Sequence, residues 1–202
     1  MHLAKKVFFG DMIFTVPKQV YEPAEDSFLL VENLDLNAED TVLDIGTGCG
    51  IVSVVAAKKA KHVVAVDINP CAVDCVRKNA EVNSVAEKID VRLGNLFEPI
   101  EKNERFSVIA FNAPYLPSES QNHDDWVEKA WEGGQDGLQL IDRFISEVPK
   151  FLASGGRIFL VQSTLSNVEK TLQQFRSLGF QAKIVAGKSF FFEKIVVVMA
   201  AL

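Results

Sequence analysis

The sequence predicts an α/β fold: a mostly parallel seven-stranded sheet with helices on both faces and a C-terminal antiparallel hairpin. Three observations predict it. From residue 41 onward, strand-like and helix-like stretches alternate, the signature of successive β-α units around a parallel sheet. The last two strand-like stretches have no helix between them, so they close the sheet as an antiparallel hairpin. Finally, 202 residues with 48% hydrophobic content and no repeat or linker suit one domain with a sizeable core.

The elements follow in order. Residues 7–9 and 12–16 flank Gly10-Asp11, a hairpin turn. Residues 24–34 read as a helix with Phe28, Leu29 and Val31 inward, and Glu25 and Asp26 suit the positive end of its dipole. Strand 41–45 leads to helix 51–59, strand 62–67 to helix 70–83, with Pro70 in the first turn. Strands 89–93 and 107–111 follow, then a helix over 138–151, a break at Gly155-Gly156 and a strand over 157–162. Helix 168–178 stops at Gly179, and strands 181–186 and 191–200 turn around Gly187-Lys188. The whole chain, 1–202, is expected to be one domain, with 1–40 lying over a ligand site and 41–202 forming the core.

Composition excludes several classes. The net charge is −6 with no basic stripe, which argues against unaided nucleic-acid binding. Cys49, Cys71 and Cys75 are an odd set without metal-ligand spacing, so no metal is expected. No stretch has the length of a membrane span and no export signal is visible, which points to the cytoplasm.

The chemistry begins where strand 41–45 runs into Gly46-Thr47-Gly48-Cys49-Gly50. Glycines there let a ligand approach the backbone, at the carboxyl ends of the strands where open α/β sheets bind ligands. Asp67 ends the next strand, placed to accept from both hydroxyls of a ribose. The third glycine arrives one residue too early for a dinucleotide fingerprint. Asp44, two residues before the first glycine, repels phosphates and suits the ammonium of a methionine moiety. Together these residues indicate S-adenosylmethionine. Ile68 follows the ribose acid, and Asn95-Leu96 after strand 89–93 are placed for the adenine, whose exocyclic amine Asn95 can meet with its side-chain oxygen.

After strand 107–111 comes Asn112-Ala113-Pro114-Tyr115. It resembles the Asn-Pro-Pro-Tyr motif of methyltransferases acting on planar amino or amide nitrogens, with Ala113 in place of the first proline. Tyr21-Glu22-Pro23-Ala24-Glu25-Asp26-Ser27-Phe28-Leu29-Leu30, and Ala130-Trp131-Glu132-Gly133-Gly134 through Asp142-Arg143-Phe144, narrow the resemblance. They are similar to the short archaeal and eukaryotic branch of the HemK-like release-factor glutamine N5-methyltransferases, within the Rossmann-like class I methyltransferases. The resemblance implies that Tyr21, Ser27 and Asn112 line the cofactor pocket. It also implies that Asn112 and the carbonyl of Ala113 accept the two N–H groups of a glutamine amide, an otherwise poor nucleophile, while Tyr115 packs on its plane. Alanine supplies the same carbonyl but not the locked φ of proline.

The same resemblance implies a class I translation release factor as substrate, methylated at its Gly-Gly-Gln loop, and a small zinc-binding activator as heterodimer partner. The polar segment from Leu116 to Gly137, with Glu119, Asp124, Asp125, Trp126 and Trp131, reads as a lid or binding surface or as a solvated loop. Within it Gly133-Gly134-Gln135 spells the target tripeptide, but the family's own double glycine falls here. The alternatives are N6-adenine methylation of nucleic acid, which usually needs a basic channel, and lysine methylation, for which the motif supplies no evident base. A non-enzymatic cofactor-binding scaffold is a further reading.

Overall fold

The computed structural model describes residues 4–116, 126–130 and 137–202. Gly133-Gly134-Gln135 and Trp131 lie outside the described residues, as do Glu119, Asp124 and Asp125.

The chain opens with a two-stranded hairpin, β1 (Lys5–Phe9) and β2 (Met12–Val16). Gly10 turns it at φ 58°, a conformation that costs glycine nothing. Helix α1 (Glu25–Asn33) follows, then β3 (Thr41–Ile45), α2 (Ile51–Ala57), β4 (His62–Asp67), α3 (Pro70–Val82), β5 (Ile89–Leu93) and β6 (Phe106–Asn112). The remainder comprises α4 (Trp126–Lys129), α5 (Gln139–Glu147), β7 (Leu152–Ser163), α6 (Val168–Ser177), β8 (Gln181–Ser189) and β9 (Lys194–Ala201).

Seven strands form one sheet in the order β5-β4-β3-β6-β7-β9-β8. The first five are mutually parallel and β9 runs antiparallel to both β7 and β8. Strand order reverses between β3 and β6, and ligands bind at such a crevice in open α/β sheets. Val42, Leu43, Val63, Val64, Val108 and Ile109 are all buried, because helices cover both faces of a parallel sheet.

The first hairpin is fastened to α3 by two asparagines. Asn83 accepts from the N–H of Ile13 and donates to its carbonyl, at 3.0 and 2.8 Å. Asn79 accepts from the N–H of Thr15 and donates to the carbonyl of Cys49, at 2.9 and 2.8 Å. Each primary amide stands in for a missing strand partner of β2.

Four sequence readings are corrected. β8 continues through Gly187-Lys188, and the chain turns at residues 190–193, where the N–H of Phe190 donates to the carbonyl of Glu193 at 2.7 Å. Phe191 and Phe192 at this tip are exposed. Gly155-Gly156 does not precede β7 but lies within it: Phe106 faces Leu152 while Val108 faces Arg157, so residues 153–156 bulge. The expected helix over 138–151 stops at Glu147 and continues as a 3₁₀ turn, Val148–Lys150, around Pro149. In α1 the innermost apolar side chain is Leu30, and Asp26 and Ser27 are buried with it.

Candidate active site

The turn after β3 is built on backbone conformations that favour glycine. Gly46, Gly48 and Gly50 have φ of 64°, 57° and 84°, a region where a Cβ is strained. A Cβ on Gly50 would meet Val76 at 3.1 Å, whereas one on Gly48 would meet nothing within 4 Å. Gly50 thus lets α2 and α3 close together, and Gly48 keeps the backbone open to the cleft. Gly48 N–H donates to Asp67 Oδ2 at 2.8 Å, and Asn69 N–H to Asp67 Oδ1 at 2.9 Å, so the acid ending β4 holds the glycine turn as well as facing the cleft.

Asp44 is buried beneath this turn and accepts from Ser53 Oγ at 2.6 Å, with Thr47 Oγ1 3.0 Å further along the chain. Burial pushes its carboxyl up to about 6, against the pull of the Ser53 and Thr47 hydroxyls. Burial also raises Asp67, opposed by its backbone N–H partners. Two carboxylates held at a cost in one cleft are a site waiting for positive charge or hydroxyl donors.

Beyond β6, Asn112 meets a residue that sequence reasoning placed only as a helix-end charge. Asn112 Nδ2 donates to Asp26 Oδ2 at 3.0 Å and to Ser27 Oγ at 3.2 Å. Asp26, from the first turn of α1, also accepts from the Ser27 N–H at 2.6 Å, the Ser27 hydroxyl at 3.2 Å and the Tyr21 hydroxyl at 3.0 Å. Tyr115 Oη donates to Asp26 Oδ2 at 3.4 Å. Burial, reinforced by the charge of Asp26, pushes both phenols up, so they remain donors. Asn112 Oδ1, by contrast, is buried and has no hydrogen-bond partner among the described residues. Such an orphaned acceptor costs about 1–3 kcal/mol; its presence in a cleft wall marks a place for an incoming donor.

These groups face one cavity of about 410 Å³ at the carboxyl ends of β3, β4 and β6. The structure places every expected cofactor residue on its wall: Tyr21, Ser27, Asp44, Gly46, Thr47, Gly48, Asp67, Ile68, Asn95, Leu96 and Asn112. Ala113, Pro114 and Tyr115 complete the motif side. Thr47 lines the cavity with its hydroxyl engaged by Ser53, and Leu96 holds a left-handed φ of 52°. Of the stretch between Leu116 and Gly137, residues 126–130 are described, and Trp126 and Ala130, in and just after α4, reach the same wall. The residue missed is Asp26. The signal for it was an acid within the Tyr21-to-Leu30 stretch, but its partners Asn112 and Tyr115 lie far along the chain.

Fold and cleft define a Rossmann-like methyltransferase, a class that in general uses S-adenosylmethionine. The family model "Methyltransferase small domain" matches residues 22–190. A Methanocaldococcus jannaschii protein, provisionally named a protein N5-glutamine methyltransferase, is 44% identical over 90% of this chain and 91% of its own. Methyltransferase HEMK2 of Homo sapiens is 34% identical over 80% of each chain. A release factor glutamine methyltransferase of Geobacter sulfurreducens is 31% identical over 85% of this chain and 63% of its own. Among solved structures, a chain of the E. cuniculi Mtq2-Trm112 complex, responsible for methylation of the eRF1 termination factor, shares the fold. Its TM-score is 0.71 and its identity 22%, covering 91% of this chain and 98% of that one. The chain belongs to the HemK-like glutamine methyltransferase family.

Proposed function

We propose that this chain methylates the side-chain amide nitrogen of the glutamine in the Gly-Gly-Gln loop of a class I translation release factor. The observation that carries the reading is Asn112, a residue of the cavity wall whose amide nitrogen is secured by Asp26 and Ser27 and whose oxygen is buried and unpaired among the described residues. An amide N–H of glutamine is the donor that this oxygen lacks. The relatives named as glutamine methyltransferases support the same acceptor.

The donor set fits S-adenosylmethionine. Asp44 would take the ammonium, Asp67 the ribose hydroxyls and Asn95 the adenine amine, with Ile68 and Leu96 against the base and Gly46, Thr47 and Gly48 under the methionine. Tyr21 and Ser27 would close the motif side. The cofactor supplies an electrophilic methyl group. Asn112 and the carbonyl of Ala113 would each accept one N–H, holding the nitrogen in line and favouring the positive charge it develops until one of its protons is released to solvent. Pro114 stiffens this loop, and Tyr115 flanks the acceptor plane with its hydroxyl tied to Asp26.

We also propose that the whole chain acts as one domain, with residues 1–40 over the cofactor and 41–202 as core, and that it works in the cytoplasm. The likeness to a chain of the Mtq2-Trm112 complex supports a small activator subunit, for which we propose a zinc-binding protein. Among the described residues no helix is long and apolar enough to cross a membrane.

Lysine is the second reading, because Asp26 brings to the acceptor pocket the carboxylate that the motif itself lacks. That carboxylate is already occupied by Tyr21, Ser27, Asn112 and Tyr115, which ranks lysine below glutamine. Adenine shares the motif, and the charge of −6 argues against it. The test offers a release factor, a lysine-rich peptide and single-stranded DNA to the activator-bound enzyme with labelled cofactor. Label confined to the factor is expected; label on DNA or peptide in preference to the factor overturns the reading.

A further inference from the structure

Asp26 stands behind Asn112, and among the described residues each of its hydrogen-bonding neighbours is a donor: the Tyr21 and Tyr115 hydroxyls, the Ser27 N–H and hydroxyl, and Asn112 Nδ2. A primary amide has two ends of nearly equal shape, and which one faces the cavity is decided by what holds the other. A buried carboxylate can only accept. It therefore draws in the NH₂ end of Asn112, a residue of the cavity wall, and leaves the buried Oδ1 without a partner among the described residues.

We propose that Asp26 is the positioning residue that commits Asn112 to act as an acceptor, and through it restricts the pocket to groups bearing N–H. This rests on the glutamine reading above for the identity of the substrate, but not for the geometry. With Asn112 in this orientation a glutamine amide is welcomed at its nitrogen. A glutamate at the same loop position, which offers only acceptor oxygens at neutral pH, is turned away. The reversed amide would present Nδ2 and invert that preference. Charge adds to orientation: an amide donating to a carboxylate carries more negative charge on its oxygen, where the methyl acceptor becomes positive.

The test uses the activator-bound enzyme, a Gly-Gly-Gln release factor, and the variants Asp26→Asn, Asn112→Asp and the double variant. Asp26→Asn can offer its own NH₂ to Asn112, which then turns over. Its kcat is expected to fall about 100-fold, well beyond any change in calorimetric affinity for S-adenosylmethionine. Asn112→Asp sets two carboxylates face to face and is also impaired. The double variant exchanges the two side chains. The amide introduced on α1 then donates to one oxygen of the carboxylate introduced at the end of β6 and leaves the other oxygen to accept. Activity therefore recovers at least about tenfold over either single variant.

A readout independent of turnover is the Asn112 side-chain amide in the NMR spectrum of cofactor-free protein. One of its protons should be slow to exchange in the wild type and fast in Asp26→Asn. This wild-type protection decides the matter even if a variant fails to fold. Wild-type kcat in Asp26→Asn, a double variant no better than the worse single one, or a fast-exchanging Asn112 amide overturns the proposal. If the wild-type enzyme instead methylates lysine or DNA, the glutamine reading fails while the exchange measurement still reports on the Asp26–Asn112 pair.

Discussion

Gly137 lies against the backbone carbonyl of Tyr115, so closely that a Cβ built on it would sit 2.4 Å from that oxygen and 3.0 Å from the Cβ of Ser166. Its φ is 71°. The carboxyl end of the Asn112-to-Tyr115 motif is therefore seated on a residue where only a hydrogen fits. Gly137→Ala is expected to lower stability by about 2–3 kcal/mol and reduce kcat at least about tenfold, since strain and displacement add. Gly155 has a φ of 70° with open space around it, so Gly155→Ala should cost only about 1–2 kcal/mol and leave kcat intact. Thermal unfolding and initial rates of the two variants separate the effects.

Asn112→Ala removes the acceptor together with the group that Asp26 and Ser27 hold. The expected result is a loss of about 10²–10³-fold in kcat. Affinity for S-adenosylmethionine, which we propose rests mainly on Asp44 and Asp67, should change far less. Steady-state kinetics beside calorimetry checks the split, and equal losses in both would place Asn112 on the cofactor alone.

Asp44 makes a pH-dependent prediction. Its carboxyl is raised to about 6 from an ordinary 3.8, chiefly by burial, so between these pH values the folded protein binds more protons than the unfolded chain. Its contribution to stability therefore declines as pH rises from about 4 to about 6 and stays reduced above. In cofactor-free protein, Asp44→Asn should be more stable than wild type at pH 7 by about 2–3 kcal/mol, with the gain vanishing below about pH 4. A bound ammonium favours the ionised acid, so wild-type affinity for S-adenosylmethionine should strengthen as pH rises through about 6. Asp44→Asn should lose both that dependence and most of the affinity. Denaturant titrations and calorimetry across this range test both signs.

Asn79 joins three segments: it accepts from Thr15 N–H, donates to the Cys49 carbonyl and lies on α3. Asn79→Ala leaves the Thr15 N–H and the Cys49 carbonyl without that partner, and should destabilise the protein by about 2–4 kcal/mol. Because Cys49 belongs to the glycine turn, cofactor affinity should fall as well. Asn83→Ala, which removes a side chain whose described partners lie in β2 and α3, should destabilise without weakening the cofactor. Unfolding curves and calorimetry on the pair distinguish the two.

Much of this arrangement was legible in the sequence because its determinants are local. The glycine turn, its two acids and the Asn112 motif each sit at a strand end, where a change from apolar run to glycine or proline marks the place. The hairpin tip was misread at Gly187-Lys188 because glycine is the usual sign of a turn. Pairing with β9 continues past it to Ser189 opposite Lys194, and three consecutive phenylalanines form the bend. Asp26 was misread for the opposite reason. An acid in the first turn of a helix has a sufficient local explanation in the dipole, and nothing adjacent reveals that Asn112 and Tyr115 converge on it. Long-range polar networks leave no periodic trace, so only the folded chain shows them.

The identity of the methyl acceptor is decided by mapping the transferred methyl group with tandem mass spectrometry. A release factor with an intact Gly-Gly-Gln loop would be treated with S-adenosylmethionine and the activator-bound enzyme, beside a factor whose loop glutamine is alanine. One methyl on the amide nitrogen of that glutamine, absent from the alanine factor and from reactions with Asn112→Ala, is the expected outcome. A methyl on a lysine of either factor, or none on the glutamine while DNA is methylated, would refute glutamine as the acceptor.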